Sequence, residues 1–198
     1  MKILFIKKSW TVCFLLASLM MPVSSLAGNR ALIRDLIVMN SARDLLLYFT
    51  VGKAFTPEME EAVRNGIPVC FSYYVDLIQE KKGWPDREIV TLSFDRSLLY
   101  DSLKEEYRVE FMGKNKFFPT ETLDEAKKIM VEVHDFKVVS LSELPLEGKY
   151  TLRVKALLAK KTLPLNFQYI LPFSTLWEFD TGWYSTEFMY RKDDSGAD

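Results

Sequence analysis

Nucleophilic chemistry in this chain would have to pass through very few side chains. The 198 residues hold one histidine, His134, and two cysteines, Cys13 and Cys70. Cys13 lies in an apolar N-terminal run, so the only thiol–base pair on offer is Cys70 with His134. Cys70 falls in a strand-like stretch, whereas His134 follows a helix-like one, next to Asp135. The two would meet only if that helix and strand packed side by side. A lone histidine past a helix is more simply a cap on the last carbonyls. A lone cysteine is more simply a small, half-buried apolar residue. No G-x-S-x-G turn supports a serine nucleophile. The structural readings outweigh catalysis, and no catalytic residue is assigned. A small exported thiol enzyme or hydrolase using Cys70 and His134 stands as the alternative.

Other chemistries lack their ligand sets. One histidine and one cysteine beyond the N-terminal run cannot build a zinc site. Acidic loops at calcium-binding spacing are missing too, and Glu58, Glu60 and Glu61 read as the solvated face of a helix. Most of the eight glycines fall at turns, leaving no glycine-rich phosphate loop. The expectation is therefore no metal, no cofactor and no nucleotide.

Two surfaces remain as binding candidates. The segment LNFQYILPFSTLWEFDTGWY crowds aromatic rings between Phe167 and Tyr184, and Pro172, Thr175 and Gly182 interrupt its strand pattern. Some of those rings must be core. Phe173, Trp177, Trp183 and Tyr184 are the ones taken as an exposed grip on a peptide, another protein or a lipid surface. The second candidate is the polar stripe Cys70, Ser72, Tyr74 and Asp76, for which a solvated sheet face is the plain alternative.

The N-terminus sets the compartment. Lys2, Lys7 and Lys8 precede an uncharged run over residues 9–21, then Pro22 and the small-residue ending Ser25-Leu26-Ala27. That order of parts is a secretory signal peptide, with cleavage expected after Ala27 and a periplasmic destination. An uncleaved membrane anchor is the alternative, although the run falls short of the roughly 20 apolar residues that span a bilayer. Residues 28–198 carry 23 basic and 27 acidic side chains. This mildly acidic balance without a basic stripe argues against nucleic acid. Cys70 alone remains, so no intrachain disulfide forms.

The elements that would position these residues can be read from local pattern. Ala54 to Leu77 organises the rest. Thr56 is an N-cap, Pro57 fits the first helical position, and Asn65-Gly66 ends the helix. Ile67, Val69, Phe71, Tyr73, Val75 and Leu77 then share one strand face opposite the polar stripe. Upstream, residues 32–39 and 45–51 read as a hairpin, with Leu36 and Val38 on one face and Ile33, Ile37 and Met39 on the other. Residues 88–96 and 107–111 alternate as strands. A capping box at Thr122–Glu125 opens a helix over 123–133, with its apolar stripe on Leu123, Ala126, Ile129, Met130 and Val133. Strands are expected again over 136–142, 150–159, 165–171 and 184–190, and a disordered polar tail over 191–198. The result is a mainly β, single-domain β-sandwich over residues 28–190. About nine strands, immunoglobulin-like in general architecture, are joined by two short helices.

These stretches carry a resemblance. AFTPEMEEAVRNGIPVCFSYYVDL, the turn Gly83-Trp84-Pro85, SLLYDSLKEEYRV, TLDEAKKIM, KYTLRVKALL and the ending Trp183-Tyr184 resemble, in that order, the exported bacterial proteins grouped as domain of unknown function 4390. The resemblance spans nearly all of residues 28–190 and implies one compact exported domain of a Gram-negative bacterium. The family has no assigned activity, so it brings no functional residue. The reading is a non-enzymatic envelope protein that binds another envelope or inner-membrane protein through its sandwich surface. Membrane-surface association through the C-terminal aromatic segment is a further alternative.

Overall fold

The computed structural model describes residues 31–113, 116–159 and 179–191. Among them run nine strands and two α-helices. They are β1 (Leu32–Asn40), β2 (Asp44–Gly52), α1 (Pro57–Arg64), β3 (Val69–Glu80), β4 (Arg87–Asp101), β5 (Glu106–Phe111), β6 (Lys116–Thr120), α2 (Leu123–Val131), β7 (Glu132–Ser140), β8 (Gly148–Leu158) and β9 (Tyr184–Tyr190). All pairings are antiparallel. One sheet has the order β1-β2-β7 and the other β6-β5-β4-β3-β8-β9.

The two sheets bury their apolar faces against each other. Leu45, Leu47, Phe49 and Val51 of β2 are buried, as are Phe71, Tyr73, Val75 and Leu77 of β3 and Tyr150, Leu152 and Val154 of β8. Rings close the gap between sheets, with Phe49–Tyr73 centroids 5.9 Å apart and Phe94–Phe136 4.5 Å apart. A three-stranded sheet cannot cover a six-stranded one. β1 lies against β8 and β9, β7 lies against β4, and α2 packs on β4, β5 and β6. The helix thus takes the part of the wide sheet that the narrow sheet leaves open. This is a β-sandwich, but its three-and-six partition does not establish an immunoglobulin arrangement.

Most local expectations hold. The Thr56 hydroxyl accepts from the Met59 N–H at 3.3 Å, Pro57 opens α1, and Gly66 (φ +75°) ends it. The Thr122 hydroxyl accepts from the Glu125 N–H at 3.3 Å. Lys127 reaches Glu60 at 2.7 Å, so the expected solvated acidic face of α1 is partly used to tie the helices together.

Four expectations change. Strict alternation had placed Ile33 with Ile37 and Met39. Asp35 instead adopts φ +53° and shifts the register between Arg34 and Ile37. Ile33 is consequently buried, opposite Val51, while Ile37 and Met39 face outward. One extra residue in a strand reverses every side chain after it. Second, α2 stops at Val131, and Val133 and His134 belong to β7, which starts earlier than residue 136. Third, β4 runs through Leu98, Leu99 and Tyr100, read above as a connection, to Asp101. Fourth, β6 was not anticipated, because Pro119 and its short length hide it. The strand expected over 165–171, the signal segment and the polar tail lie outside the described residues.

The end of α2 shows what pattern reading missed. His134 does not cap it. Arg96, buried on the core side of β4, donates from Nη1 to the carbonyls of Ile129 (2.5 Å), Met130 (3.3 Å) and Glu132 (2.6 Å). Its guanidinium lies 4.6 Å from the Phe111 ring centroid. The Tyr73 hydroxyl donates to the same Met130 carbonyl. Burial pushes the Arg96 pKa down and the Tyr73 pKa up. The negative end of the helix dipole and the aromatic faces accommodate the cation in place of a carboxylate.

Candidate functional site

The polar stripe of β3 lies on the outer face of the six-stranded sheet. Neither helix covers it, since Met59, Val63, Ala126 and Met130 join the core on the other side. Antiparallel register aligns the stripe with neighbours on β4 and β8. Cys70 faces Ser97, Ser72 faces Asp95, and Asp76 lies between Thr91 and Arg153. These alignments become bonds. The Cys70 thiol reaches the Ser97 hydroxyl at 3.1 Å, and the Ser72 hydroxyl donates to Asp95 at 2.7 Å. Asp76 accepts from the Thr91 hydroxyl at 3.0 Å and from Arg153 Nε at 2.7 Å. Ser72 and Asp76 are buried even though they face away from the core. Tyr74, half-buried, lies between Ser93 and Lys155 in the same ladder.

The second candidate set meets the first here, in part. The Arg153 guanidinium lies 4.7 Å from the Trp183 ring centroid, and Trp183 is 46% exposed. Asp76, Arg153 and Trp183 therefore form one array running from a buried carboxylate to an exposed indole. Lys155 and Asp180 pair beside it at 2.9 Å. Tyr184 departs from the set: it pairs with Val154, a core residue, and so belongs to the opposite face of β9. Phe173 and Trp177 lie outside the described residues.

Cys70 and His134 are not brought together. Cys70 is on the outer face of the wide sheet, whereas His134 is on β7 of the narrow one. There His134 contacts Glu132 at 3.1 Å and meets the Tyr48 ring edge-on at 6.3 Å. The Tyr48 hydroxyl donates to Asp135, which holds the tyrosine pKa above its usual range. Among the described residues no three metal-ligating side chains gather.

Arg153, Lys155 and Thr91 were missed as site residues. Their only sequence signal was the polar phase of alternating strands, and which carboxylate each would meet depends on register. The exposure asymmetry within Asp76–Arg153 makes a prediction. The Asp76 side chain is 7% exposed and that of Arg153 42%. Arg153→Ala strands a buried carboxylate and is expected to cost about 2–3 kcal/mol, below the full loss for a wholly buried pair. Asp76→Asn leaves an arginine that reaches water and should cost about 1 kcal/mol. Urea denaturation of both variants decides the order, and an equal or reversed ranking sinks the argument.

At the far end of the ladder, the Thr151 hydroxyl donates to Glu80 at 2.9 Å and Lys149 lies 3.4 Å from it. Those two contacts, the hydroxyl first, hold the Glu80 carboxyl below its ordinary value. A depressed carboxylate contributes stability above its unfolded pKa, and that contribution is lost as pH falls through the lower folded value. Glu80→Gln should therefore flatten the acid limb of the melting temperature on the acid side of the ordinary glutamate pKa. An unchanged acid limb refutes this assignment.

The array holds an aromatic–arginine pair at the surface, beside hydroxyls of Ser72 and Thr91 that donate to the carboxylates of Asp95 and Asp76. A family model described as Domain of unknown function (DUF4390) matches residues 29–187. No curated protein and no solved structure matches the chain.

Proposed function

The chain belongs to the DUF4390 family, a domain of unknown function, and from that premise we propose that it is a non-enzymatic binding module of the bacterial envelope. It engages another envelope or inner-membrane protein through the outer face of its six-stranded sheet. The observation that carries this reading is the Asp76–Arg153–Trp183 array. Tryptophan and arginine dominate binding hot spots, and affinity rises when they need no reordering on contact. Here an indole that is nearly half exposed rests on a guanidinium pinned by a buried aspartate.

Export is part of the same proposal. The basic start, the apolar run and Ser25-Leu26-Ala27 support a cleaved signal. The family match begins at residue 29, just past the expected cut after Ala27.

A photo-crosslinking side chain at Ser185, next to Arg153 on the outer face, tests the reading in intact cells. One discrete protein adduct in the envelope fraction is expected. Trp183→Ala should reduce that adduct at least tenfold, consistent with a hot spot of about 2 kcal/mol or more. Its melting temperature should barely move. Recovery of free monomer only, or an adduct indifferent to Trp183→Ala, would overturn the proposal.

A further inference from the structure

The turn Gly83-Trp84-Pro85 takes no part in the core or in the Asp76–Arg153–Trp183 array. It is the tip of the hairpin that joins β3 to β4, between Glu80 and Arg87. Gly83 turns the chain at φ +77°, the Trp84 N–H donates to the Lys81 carbonyl at 3.4 Å, and Pro85 fixes the backbone that follows. Both flanking strands pair in register up to Gln79 and Arg87, so the tip stands on a stiff support. Trp84 is 78% exposed, more than any other described phenylalanine, tyrosine or tryptophan. An indole left in water at a turn forgoes the burial that large rings usually supply to a fold.

The charges around the ring are sorted by sign. Residues 80–88 contain three acids, and each has a donor on the protein. Glu80 accepts from the Thr151 hydroxyl at 2.9 Å and lies 3.4 Å from Lys149. Asp86 accepts from the Lys81 backbone N–H at 3.3 Å, and Glu88 accepts from the Thr91 hydroxyl. The three cations of the same stretch, Lys81, Lys82 and Arg87, are exposed, and among the described residues no carboxylate pairs with them.

We infer that this hairpin tip docks on an anionic lipid surface, with Trp84 at the level of the headgroups and Lys81, Lys82 and Arg87 against the lipid phosphates. Indole rings favour the membrane–water boundary, where the apolar ring and the polar N–H are both accommodated. Each lysine or arginine held within a Debye length of an anionic surface adds attraction, and long lysine stems keep the ammonium in water while the ring enters. Charge complementarity selects this occupant, because the acids are already satisfied while the cations are not. The inference goes beyond the binding-module reading and does not rest on the Arg153–Trp183 surface, which crosslinking at Ser185 reads separately.

Sedimentation of the processed chain, residues 28–198, with vesicles tests it. One set contains phosphatidylglycerol and phosphatidylethanolamine, the other phosphatidylcholine alone. Binding to the anionic vesicles should be at least about tenfold tighter, and raised salt should release the protein. Lys81→Gln combined with Lys82→Gln should weaken that binding about tenfold or more. Trp84→Ala should weaken it at least about fivefold. All three positions are exposed, so the melting temperature should not move. Equal binding to phosphatidylcholine overturns the inference, as does anionic binding indifferent to Trp84→Ala or to the lysine pair. So does no binding to either set. Capture of one discrete protein by a photo-crosslinking side chain in place of Lys82, while vesicles bind nothing, also overturns it, because the tip then serves a protein.

Discussion

Arg96→Met is expected to lower the unfolding free energy by about 3–5 kcal/mol, the scale of removing one partner from a buried charged contact. For a domain of this size that corresponds to a melting temperature lower by about 6–20 °C. Methionine replaces much of the volume, so the loss is mainly polar. The carbonyls of Ile129 and Glu132 lose the guanidinium donor while that of Met130 keeps the Tyr73 hydroxyl, and each buried unpaired group costs about 1–3 kcal/mol before relaxation. Replacing a buried ion pair with apolar residues is often harmless because both partners can be removed. Here the partners are backbone carbonyls, which no substitution removes. Arg96→Lys should recover part of the loss, because an ammonium can donate to carbonyls but cannot lie as a plane against Phe111. Tyr73→Phe should combine with Arg96→Met non-additively, since both side chains serve the Met130 carbonyl. A loss below about 1 kcal/mol for Arg96→Met would mean that water replaces the guanidinium.

Phe71→Ala is the second large effect, at about 3–5 kcal/mol. Phe71 is fully buried and touches rings from two distant segments. Phe55, leading into α1, lies 5.1 Å away, and Phe179, ahead of β9, is stacked at 4.4 Å. The cavity left by alanine borders both, so neither can collapse into it without moving its own segment. Phe71→Leu keeps part of the volume and should cost roughly half as much. Amide exchange separates this from uniform destabilisation. Protection should fall first at β9 and at residues 54–56, and equal loss across the whole molecule would contradict the link.

Local elements of this fold were readable because their causes are local. Thr56, Pro57 and Gly66 bracket α1 by bonds and dihedrals within a few residues. The buried face of β3 followed from alternation alone, since Val69 to Leu77 contain no bulge. β1 failed at the same exercise because Asp35 inserts a step that residue type does not announce. The site was half readable. Asp76 and Trp183 were both singled out, but as members of separate surfaces. Arg153, which joins them, was not, because its partner is chosen by the pairing of β3 with β8.

By itself, the sequence determined the β-rich class, both helix caps, most strands, the face of β3 that enters the core and the shortage of catalytic groups. Those properties depend on periodicity, turn chemistry and composition, which act over a few residues or over none. Only the tertiary structure decided that Cys70 and His134 sit on different sheets, that Arg96 closes α2, and that Asp76 reaches Trp183 through Arg153. Each of these depends on strand register and sheet partition. Register is set cooperatively by residues far apart in sequence, and a shift of one position exchanges the faces of a strand.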